Sequence, residues 1–278
     1  MKVNFRSFCF HFFVIGFGLV MFYPILWTIV SSVKPESEIF KNSASLIPSV
    51  LEWKNYLLGW QGFGNITFAT FFQNSAFVTT LVVIGTLFSS SLVSFGFARL
   101  KFRFKSLLFV CLIATLLLPS QVTLIPQYIL FHKLGWVNTY YPLIVPAFIG
   151  GTPFFIFLMI QFIKGIPREL DEAAVIDGCS TLGVFWRIIL PLTKPALATV
   201  AIFAFYWTWD DFMTPLIYLN DPNLFTVSLG LRLFSDPNSV TAWGPLFAMS
   251  FLSLVPTFII FLFFQKYLVE GISTTGIK

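Results

Sequence analysis

The 278-residue sequence contains 57% hydrophobic, 19% aromatic and only 10% charged residues. Soluble domains average about a quarter charged residues, so the composition excludes an ordinary soluble domain, and its apolar content excludes a disordered chain. The net charge of +5 is scattered and forms no basic stripe, which argues against nucleic-acid binding. The composition therefore predicts an all-α polytopic membrane protein.

Six apolar windows are each long enough to cross a bilayer, which needs about 20 residues. They predict six transmembrane helices over residues 8–33, 71–98, 106–131, 141–163, 195–219 and 243–264. The first window is longer than the apolar region of a signal peptide and is interpreted as an uncleaved anchor. We take residues 1–278 as a single transmembrane domain.

The distribution of basic residues predicts the orientation of these helices. Twelve of the 17 Lys and Arg residues lie on the side of the two termini, and five lie on the other side. Cytoplasmic loops of membrane proteins carry the excess of Lys and Arg. We therefore expect a multi-pass protein of the plasma (inner) membrane with both termini, and the segments around Arg103 and Glu172, in the cytoplasm.

Proline and glycine interrupt three of the predicted helices. The residues concerned are Pro119, Pro126, Pro142, Pro146, Gly150, Gly151, Pro153 and Pro256. Backbone groups freed at such breaks must be satisfied by neighbouring helices or by water in a cavity. The pattern indicates either a bundle around a pathway or the ordinary kinks of membrane helices.

Several kinds of chemistry are excluded by the sequence. No glycine is followed by lysine, so a Walker A phosphate loop is impossible. Cys9, Cys111 and Cys179 have no metal-type spacing, and we expect neither a disulfide nor a metal site. The chain is not expected to be an enzyme or to bind a cofactor. A proton relay is poorly supported because Asp210 and Asp211 are the only clearly intramembrane acids.

The segment between the fourth and fifth helices, residues 164–194, is the longest loop on the cytoplasmic side. Pro167 suits a first helical turn, where acidic residues favour the helix dipole, and Gly178 ends that helix. Ser180 caps a second helix, which Pro191 is expected to stop. The segment therefore predicts a cytoplasmic helix-turn-helix.

The first of these short helices contains Glu172, Ala173 and Ala174. The two alanines beside one carboxylate form either a small-residue surface that lets another protein approach closely, or an inert connector in which alanine merely favours helix. Taken alone, the three residues leave both interpretations open.

The wider pattern resembles the EAA signature of ABC-transporter permease subunits. Its elements here are Glu172-Ala173-Ala174, Gly178, Ile188 and Leu190-Pro191. The resemblance covers nearly the whole chain and is closest to carbohydrate-uptake permeases, in particular the second, six-span permease subunit of maltose-type importers. Further matching stretches are Leu118–Gln121, Ile125-Pro126, Lys133–Gly135, Asn138-Thr139, Trp209–Asp211, Pro215-Leu216, Thr226 and Gln265–Gly271. Cys179 departs from the family, which more often has alanine there.

The resemblance implies a coupling role for one set of residues. In that family the EAA helices sit in a cleft of the ATP-binding subunit and transmit its ATP-driven closure. The residues implied in coupling are Glu172, Ala173, Ala174, Asp177, Gly178, Ile188, Leu190 and Pro191.

The partners implied by the resemblance are a second homologous permease subunit, two ATP-binding subunits that hold ATP and Mg, and an extracytoplasmic solute-binding protein. The implied function is import of a sugar or oligosaccharide. The alternatives are the same machinery for another solute, such as glycerol phosphate, or, less favoured, an ion-coupled carrier.

A second set of residues is a candidate for contact with the solute or the binding protein. It comprises Asn74, Gln121, Trp209, Asp210 and Asp211. Tryptophan and carboxylates suit sugars, but Trp also anchors helices at the membrane interface, and polar residues also join helices by hydrogen bonds. The resemblance also makes residues 220–238 a candidate docking segment for the binding protein.

Overall fold

The computed structural model describes residues 5–41, 43, 45–235 and 241–273. These residues form an all-α protein in which the only β pairing is an isolated bridge between Phe63 and Ile66. The all-α prediction is confirmed.

Fifteen α-helices occur in the described part of the chain. In chain order they are α1 (Phe5–Ser32), α2 (Glu36–Ile39), α3 (Lys54–Gln61), α4 (Phe68–Arg99), α5 (Lys105–Leu117), α6 (Ser120–Lys133), α7 (Tyr141–Phe148), α8 (Pro153–Lys164), α9 (Glu169–Ile176), α10 (Thr181–Val184), α11 (Leu190–Leu192), α12 (Lys194–Trp209), α13 (Met213–Tyr218), α14 (Val227–Leu231) and α15 (Trp243–Ser273).

Four helical segments in the described residues are long and apolar enough to cross a membrane: Cys9–Ser32, Phe68–Arg99, Tyr141–Lys164 and Trp243–Lys266. Two bent pairs raise the number to six if each counts as one span. Lys105–Leu117 and Gln121–Lys133 meet at 108°, and Thr181–Leu192 and Lys194–Trp209 meet at 75°. A polytopic membrane protein is therefore confirmed, with up to six crossings.

Proline and glycine break some helices as expected but not all. Helices α5 and α6 separate at Leu118, directly before Pro119, and α7 and α8 separate at Gly150 and Gly151, which both have positive φ. By contrast, Pro126, Pro146 and Pro256 lie inside the continuous helices α6, α7 and α15. The expectation of a break at these three prolines is wrong.

The predicted helix over residues 195–219 is also discontinuous. Helix α12 ends at Trp209 and α13 begins at Met213. The Oδ1 atom of Asp211 accepts a hydrogen bond from the Thr214 N–H at 3.1 Å, and Pro215 has no N–H to donate. This local hydrogen bond starts a new helix at Met213. The apolar pattern alone does not predict the break between α12 and α13.

Contacts divide the chain into two compact units, the first being Met1–Thr70 with Gly230–Pro256. In this unit Asn55 is buried, and its Nδ2 donates to the carbonyls of Ser32 and Lys34 at 3.0 and 2.9 Å. Trp27 packs edge-on against Phe247 with ring centres 5.1 Å apart. A buried amide and an aromatic cluster therefore fix α2 and α3 beside the end of α1.

The second unit comprises Phe71–Leu229 and Thr257–Lys278. Small hydroxyl residues line the buried side of α4 and allow close helix approach: Ser75, Thr79, Thr86, Ser89, Ser90, Ser91 and Ser94. Ser89 donates to the Ala147 carbonyl at 2.7 Å, beside the α7–α8 break. Phe155, Met159 and Val200 form the apolar contact between α8 and α12.

Candidate functional site

Helix α9 ends in a turn that requires glycine. Gly178 has φ +83° and its N–H donates to the Val175 carbonyl at 3.0 Å. The Cys179 N–H reaches back to the Ala174 carbonyl at 2.9 Å. These two bonds form a Schellman motif, in which the left-handed position is favourable for glycine and costly for residues with a Cβ. The predicted end of the first short helix at Gly178 is confirmed.

The second short helix begins at Ser180, as predicted. The Ser180 hydroxyl accepts a hydrogen bond from the Gly183 N–H at 3.2 Å, which caps the helix. The helix does not stop at Pro191, because Phe185–Ile189 form a π-helical turn and Leu190–Leu192 continue the helix. Proline lacks an N–H and crowds the preceding turn, and the wider π turn lets the helix continue past it.

An apolar cluster holds the helix-turn-helix against the ends of two long helices. Phe95 and Ala98 of α4 and Ile163 of α8 pack with Ala174, Val184, Phe185 and Ile189. The rings of Phe95 and Phe185 lie 5.1 Å apart. Ala174 is only 6% exposed, so its methyl group belongs to this internal contact and not to the outer surface.

An ion pair strengthens the same contact. Arg99, the last residue of α4, places Nε 2.6 Å from Asp171 Oδ2, and the side chains are 6% and 18% exposed. Arg99 Nη2 also donates to the Ile166 carbonyl at 2.8 Å, and Arg168 Nη2 donates to the Ala98 carbonyl at 3.4 Å. Apolar packing, charge and backbone hydrogen bonds therefore fix α9 to the end of α4.

The opposite face of α9 is open. Glu169, Glu172, Ala173 and Ile176 recur at helical spacing and are all exposed, with Ile176 85% exposed. Val175, Leu182 and Trp186 are also exposed. We call the exposed residues Glu172, Ala173, Val175, Ile176 and Leu182 the coupling face. An exposed apolar patch beside the carboxylates of Glu169 and Glu172, on a rigid support, is suited to binding another protein.

The other predicted coupling residues have different surroundings. Asp177 and Gly178 are exposed at the turn, and Pro191 is exposed on α11. Ile188 and Leu190 are half-buried against the apolar cluster. Some residues of the motif therefore form the coupling face, and others support it from below. The sequence motif alone does not distinguish the two groups.

Asn74, a candidate pathway residue, fixes a distant segment. Its Nδ2 donates to the carbonyls of Asn223 and Phe225 at 2.8 and 3.0 Å. The neighbouring Ser75 hydroxyl accepts from the Val227 N–H at 2.8 Å. Three hydrogen bonds therefore tie the segment after α13 to α4.

Asn138 holds the start of the same segment, a role that its place in the matching stretch Asn138-Thr139 does not indicate. Asn138 has φ +62°, and its Oδ1 accepts from the N–H groups of Asn220 and Asp221, both at 2.9 Å.

Two hydrogen bonds from Asn223 keep the pKa of Asp221 below its usual range. Burial, and then the nearby charge of Asp221, raises the pKa of Tyr140 to about 12.

Replacing Asn138 by glycine should free the segment at residues 220–221. Glycine keeps the left-handed backbone but removes both acceptor bonds, which are worth about 1 kcal/mol each. The two losses together should make hydrogen exchange of the Asn220 and Asp221 amides about 30-fold faster, measured by mass spectrometry. Asn65→Gly, the same change at an exposed turn, should leave this exchange unchanged; equal acceleration in both variants would contradict the assignment.

The remaining candidate residues are not brought together. Trp209 is 4% exposed and stacks on Phe205 with ring centres 5.5 Å apart, so its ring is internal structure. Asp210 and Gln121 are exposed. Helix α12 turns the Trp209 ring toward the core, and contact of Trp209 with the solute or the binding protein stays a prediction. Residues 236–240, within the candidate docking segment, lie outside the described residues.

Asp211 lines two cavities of the second unit. One encloses about 630 Å³ and has Gln127, Thr152 and Thr214 in its wall. The other encloses about 220 Å³ and includes Thr79. Within the described residues no group of His, Cys, Asp or Glu could hold a metal ion. These cavities have the polarity to hold water or a hydroxyl-bearing solute.

Long apolar helices, with a helix-turn-helix held at the ends of α4 and α8, define an integral membrane protein. The profile of one family, described as binding-protein-dependent transport system inner membrane component, matches residues 90–274. The match covers more than half of the chain, and the chain therefore belongs to this family.

Individual relatives agree with the family assignment. The chain is 39% identical over 256 residues to the probable ABC transporter permease protein YurM of Bacillus subtilis, covering 92% of this chain and 83% of the relative. It is 34% identical to the arabinooligosaccharides transport system permease protein AraQ of Halalkalibacterium halodurans, covering 95% of both. The fold matches a chain of a bacterial ABC transporter involved in alginate import, with a TM-score of 0.82, 19% identity, and 96% and 98% coverage.

Proposed function

We propose that this chain is a permease subunit of an ABC importer that moves a sugar or oligosaccharide across the inner membrane. The observation that carries the proposal is the coupling face, which is exposed and apolar and is held rigidly on the ends of α4 and α8. Family membership and the oligosaccharide transport named for AraQ favour the same class of solute.

The proposed complex contains a second homologous permease, two ATP-binding subunits and an extracytoplasmic solute-binding protein. ATP and Mg bind to the ATP-binding subunits, and no side chain of this chain contacts ATP or Mg. Both termini and the helix-turn-helix face the cytoplasm in this arrangement, which agrees with the distribution of Lys and Arg.

Force reaches the bundle through the attachments of α9. A partner that moves the coupling face also moves Asp171, which is paired with Arg99, and Ala174, which belongs to the same apolar cluster as Phe95 of α4. The long helix α4 then carries the motion along its length to the segment held by Asn74. Because packed helices are nearly incompressible, the motion is transmitted and not absorbed.

Two kinds of interaction hold the partner on the coupling face. Ile176 loses water-exposed apolar area on binding, and Glu172 pairs with a basic residue of the ATP-binding subunit. The apolar contact supplies affinity, and the charge fixes the register.

Replacing Ile176 by serine should weaken retention of the ATP-binding subunit at least about tenfold, because a buried isoleucine contributes about 2 kcal/mol. The measurement is the amount of ATP-binding subunit recovered with the tagged chain in mild detergent. Ile176 is 85% exposed, so the change should cost the chain itself little stability.

Ile47→Ser is the matched control, because Ile47 is 83% exposed and lies outside α9, in the connection between α2 and α3. Equal retention in the two variants would contradict the proposed coupling face.

Solute transport is tested separately. Uptake of a labelled oligosaccharide, competed by unlabelled sugars and by glycerol phosphate, assigns the solute. Uptake that persists without an ATP-binding subunit would contradict the importer and favour an ion-coupled carrier.

A further inference from the structure

Three membrane helices end around one cavity of the second unit. Helix α4 ends at Arg99, α5 begins at Lys105, and α8 ends at Lys164. The cavity between them encloses about 580 Å³. Because the ends of three spans mark the edge of the apolar layer, this cavity lies at the level of lipid headgroups.

Four basic side chains line the cavity: Arg99, Lys105, Lys164 and Arg168. Arg99 is paired with Asp171. In the described part of the chain no carboxylate lies within 4.0 Å of the charged groups of the other three. The cavity therefore carries an excess of positive charge that no carboxylate of the described residues neutralises. The Lys105 ammonium donates one hydrogen bond to the Leu100 carbonyl at 2.8 Å, and that neutral acceptor leaves its charge in place.

The N-terminus of α5 adds to this excess. Phe104 precedes the helix with φ +64° and no capping side chain, and the first turn contains no acidic residue. The partial positive charge of the helix dipole is therefore uncompensated, and Lys105 in the first turn adds to it. The free N–H groups and the partial positive charge of such a terminus favour binding of an anion.

The rest of the cavity wall is apolar. Phe97, Phe109 and Ile160 lie beside the basic groups, and Val110, which is 62% exposed, continues along α5 toward the apolar layer. The Lys164 ammonium lies 5.4 Å from the centre of the Phe109 ring. A site with a cationic end and an apolar continuation fits an amphiphile better than a free inorganic anion.

We propose that this cavity binds the phosphate headgroup of an anionic phospholipid, with an acyl chain along Val110. The phosphate contacts Lys105, Lys164 and the first-turn amides of α5. Arg168 lines the cavity and also hydrogen-bonds to the Ala98 carbonyl, so the bound lipid lies directly beside the attachment of α9.

The test compares lipid binding to the purified, delipidated protein, with whatever subunits co-purify with it, by native mass spectrometry. The variant Lys105→Gln/Lys164→Gln removes two charges from the cavity and leaves the Arg99–Asp171 pair intact. Each basic residue near a membrane surface contributes about fivefold to binding, so phosphatidylglycerol should bind the variant about 30-fold more weakly. Phosphatidylcholine should bind weakly both to the unaltered protein and to the Lys105→Gln/Lys164→Gln variant.

The matched control is Lys101→Gln/Arg103→Gln, which removes two exposed charges from the same α4–α5 connection without altering the cavity lining. The charge-retaining variant Lys105→Arg/Lys164→Arg should bind phosphatidylglycerol like the unaltered complex. Equal binding loss in both glutamine variants would overturn the proposal. Displacement of the lipid by excess inorganic phosphate would show that the cavity binds free phosphate, and it would contradict the proposed phospholipid.

Lipid binding is read without transport, so the result does not depend on the proposed import function. Recovery of each variant from membranes in the same amount as the unaltered protein, with the same co-purifying subunits, shows that the chain is folded and inserted. Equal affinity for phosphatidylglycerol and phosphatidylcholine in the unaltered complex would likewise overturn the proposal.

Discussion

Replacing Asp171 by asparagine is expected to detach the helix-turn-helix from α4. The substitution keeps the size of the side chain but leaves the charge of Arg99 without its partner at a site where the two side chains are 6% and 18% exposed. Removing one member of a buried ion pair costs about 3 kcal/mol or more. A loss of this size should populate the detached segment about 100-fold more often and should abolish uptake.

Limited proteolysis within residues 164–194 measures the detachment. Glu169→Gln is the control, since it removes a carboxylate from the same first turn of α9, with the same effect on the helix dipole, but Glu169 is exposed. The control should be cleaved at the rate of the unaltered protein. Similar cleavage of both variants would show that the helix dipole, and not the pair with Arg99, holds the segment.

A double variant distinguishes the charge from the packing. Arg99→Met/Asp171→Leu removes both charges and keeps apolar volume, and replacing a whole buried pair in this way is often neutral or stabilising. We expect the double variant to resist proteolysis better than Asp171→Asn alone. A double variant as sensitive as the single one would indicate that the hydrogen bond from Arg99 to the Ile166 carbonyl is the essential contact.

The local features of the fold could be predicted from sequence because each depends on few neighbouring residues. Apolar windows predicted the long helices, Ser180 predicted a cap, and Gly178 predicted the end of α9. The prolines were less informative, because Pro119 follows a break whereas Pro256 lies inside a continuous helix. Proline frees backbone groups, but the neighbouring helices decide whether the helix actually breaks.

Long-range contacts could not be predicted from one sequence. Arg99 and Asp171 meet across the α4–α9 interface although neither belongs to the quoted EAA elements, and Asn138 binds backbone groups more than 80 residues away. Likewise, the motif treats Ala173 and Ala174 alike, but the structure exposes the first and buries the second. Which side of a short helix faces its support depends on elements distant in sequence.

Substitutions at Gly178 should separate two reasons for a glycine in the coupling segment. A Cβ placed on Gly178 meets nothing within 4 Å, so the chain itself leaves room for a side chain there. The backbone, at φ +83°, tolerates asparagine but is strained by a β-branched residue at a cost of about 1–2 kcal/mol. Gly178→Val should therefore loosen the turn, whereas Gly178→Asn should preserve it.

Uptake by these two variants then shows why position 178 requires glycine. If the turn conformation alone matters, Gly178→Asn transports like the unaltered protein and Gly178→Val loses roughly tenfold or more in rate, in line with its strain. If the ATP-binding subunit packs directly on Gly178, both variants lose uptake, because any side chain then meets the partner. We expect the second result, since Gly178 is exposed beside the coupling face. Full uptake by Gly178→Asn, with the ATP-binding subunit retained, would exclude Gly178 from the contact and confine that contact to α9 and Leu182.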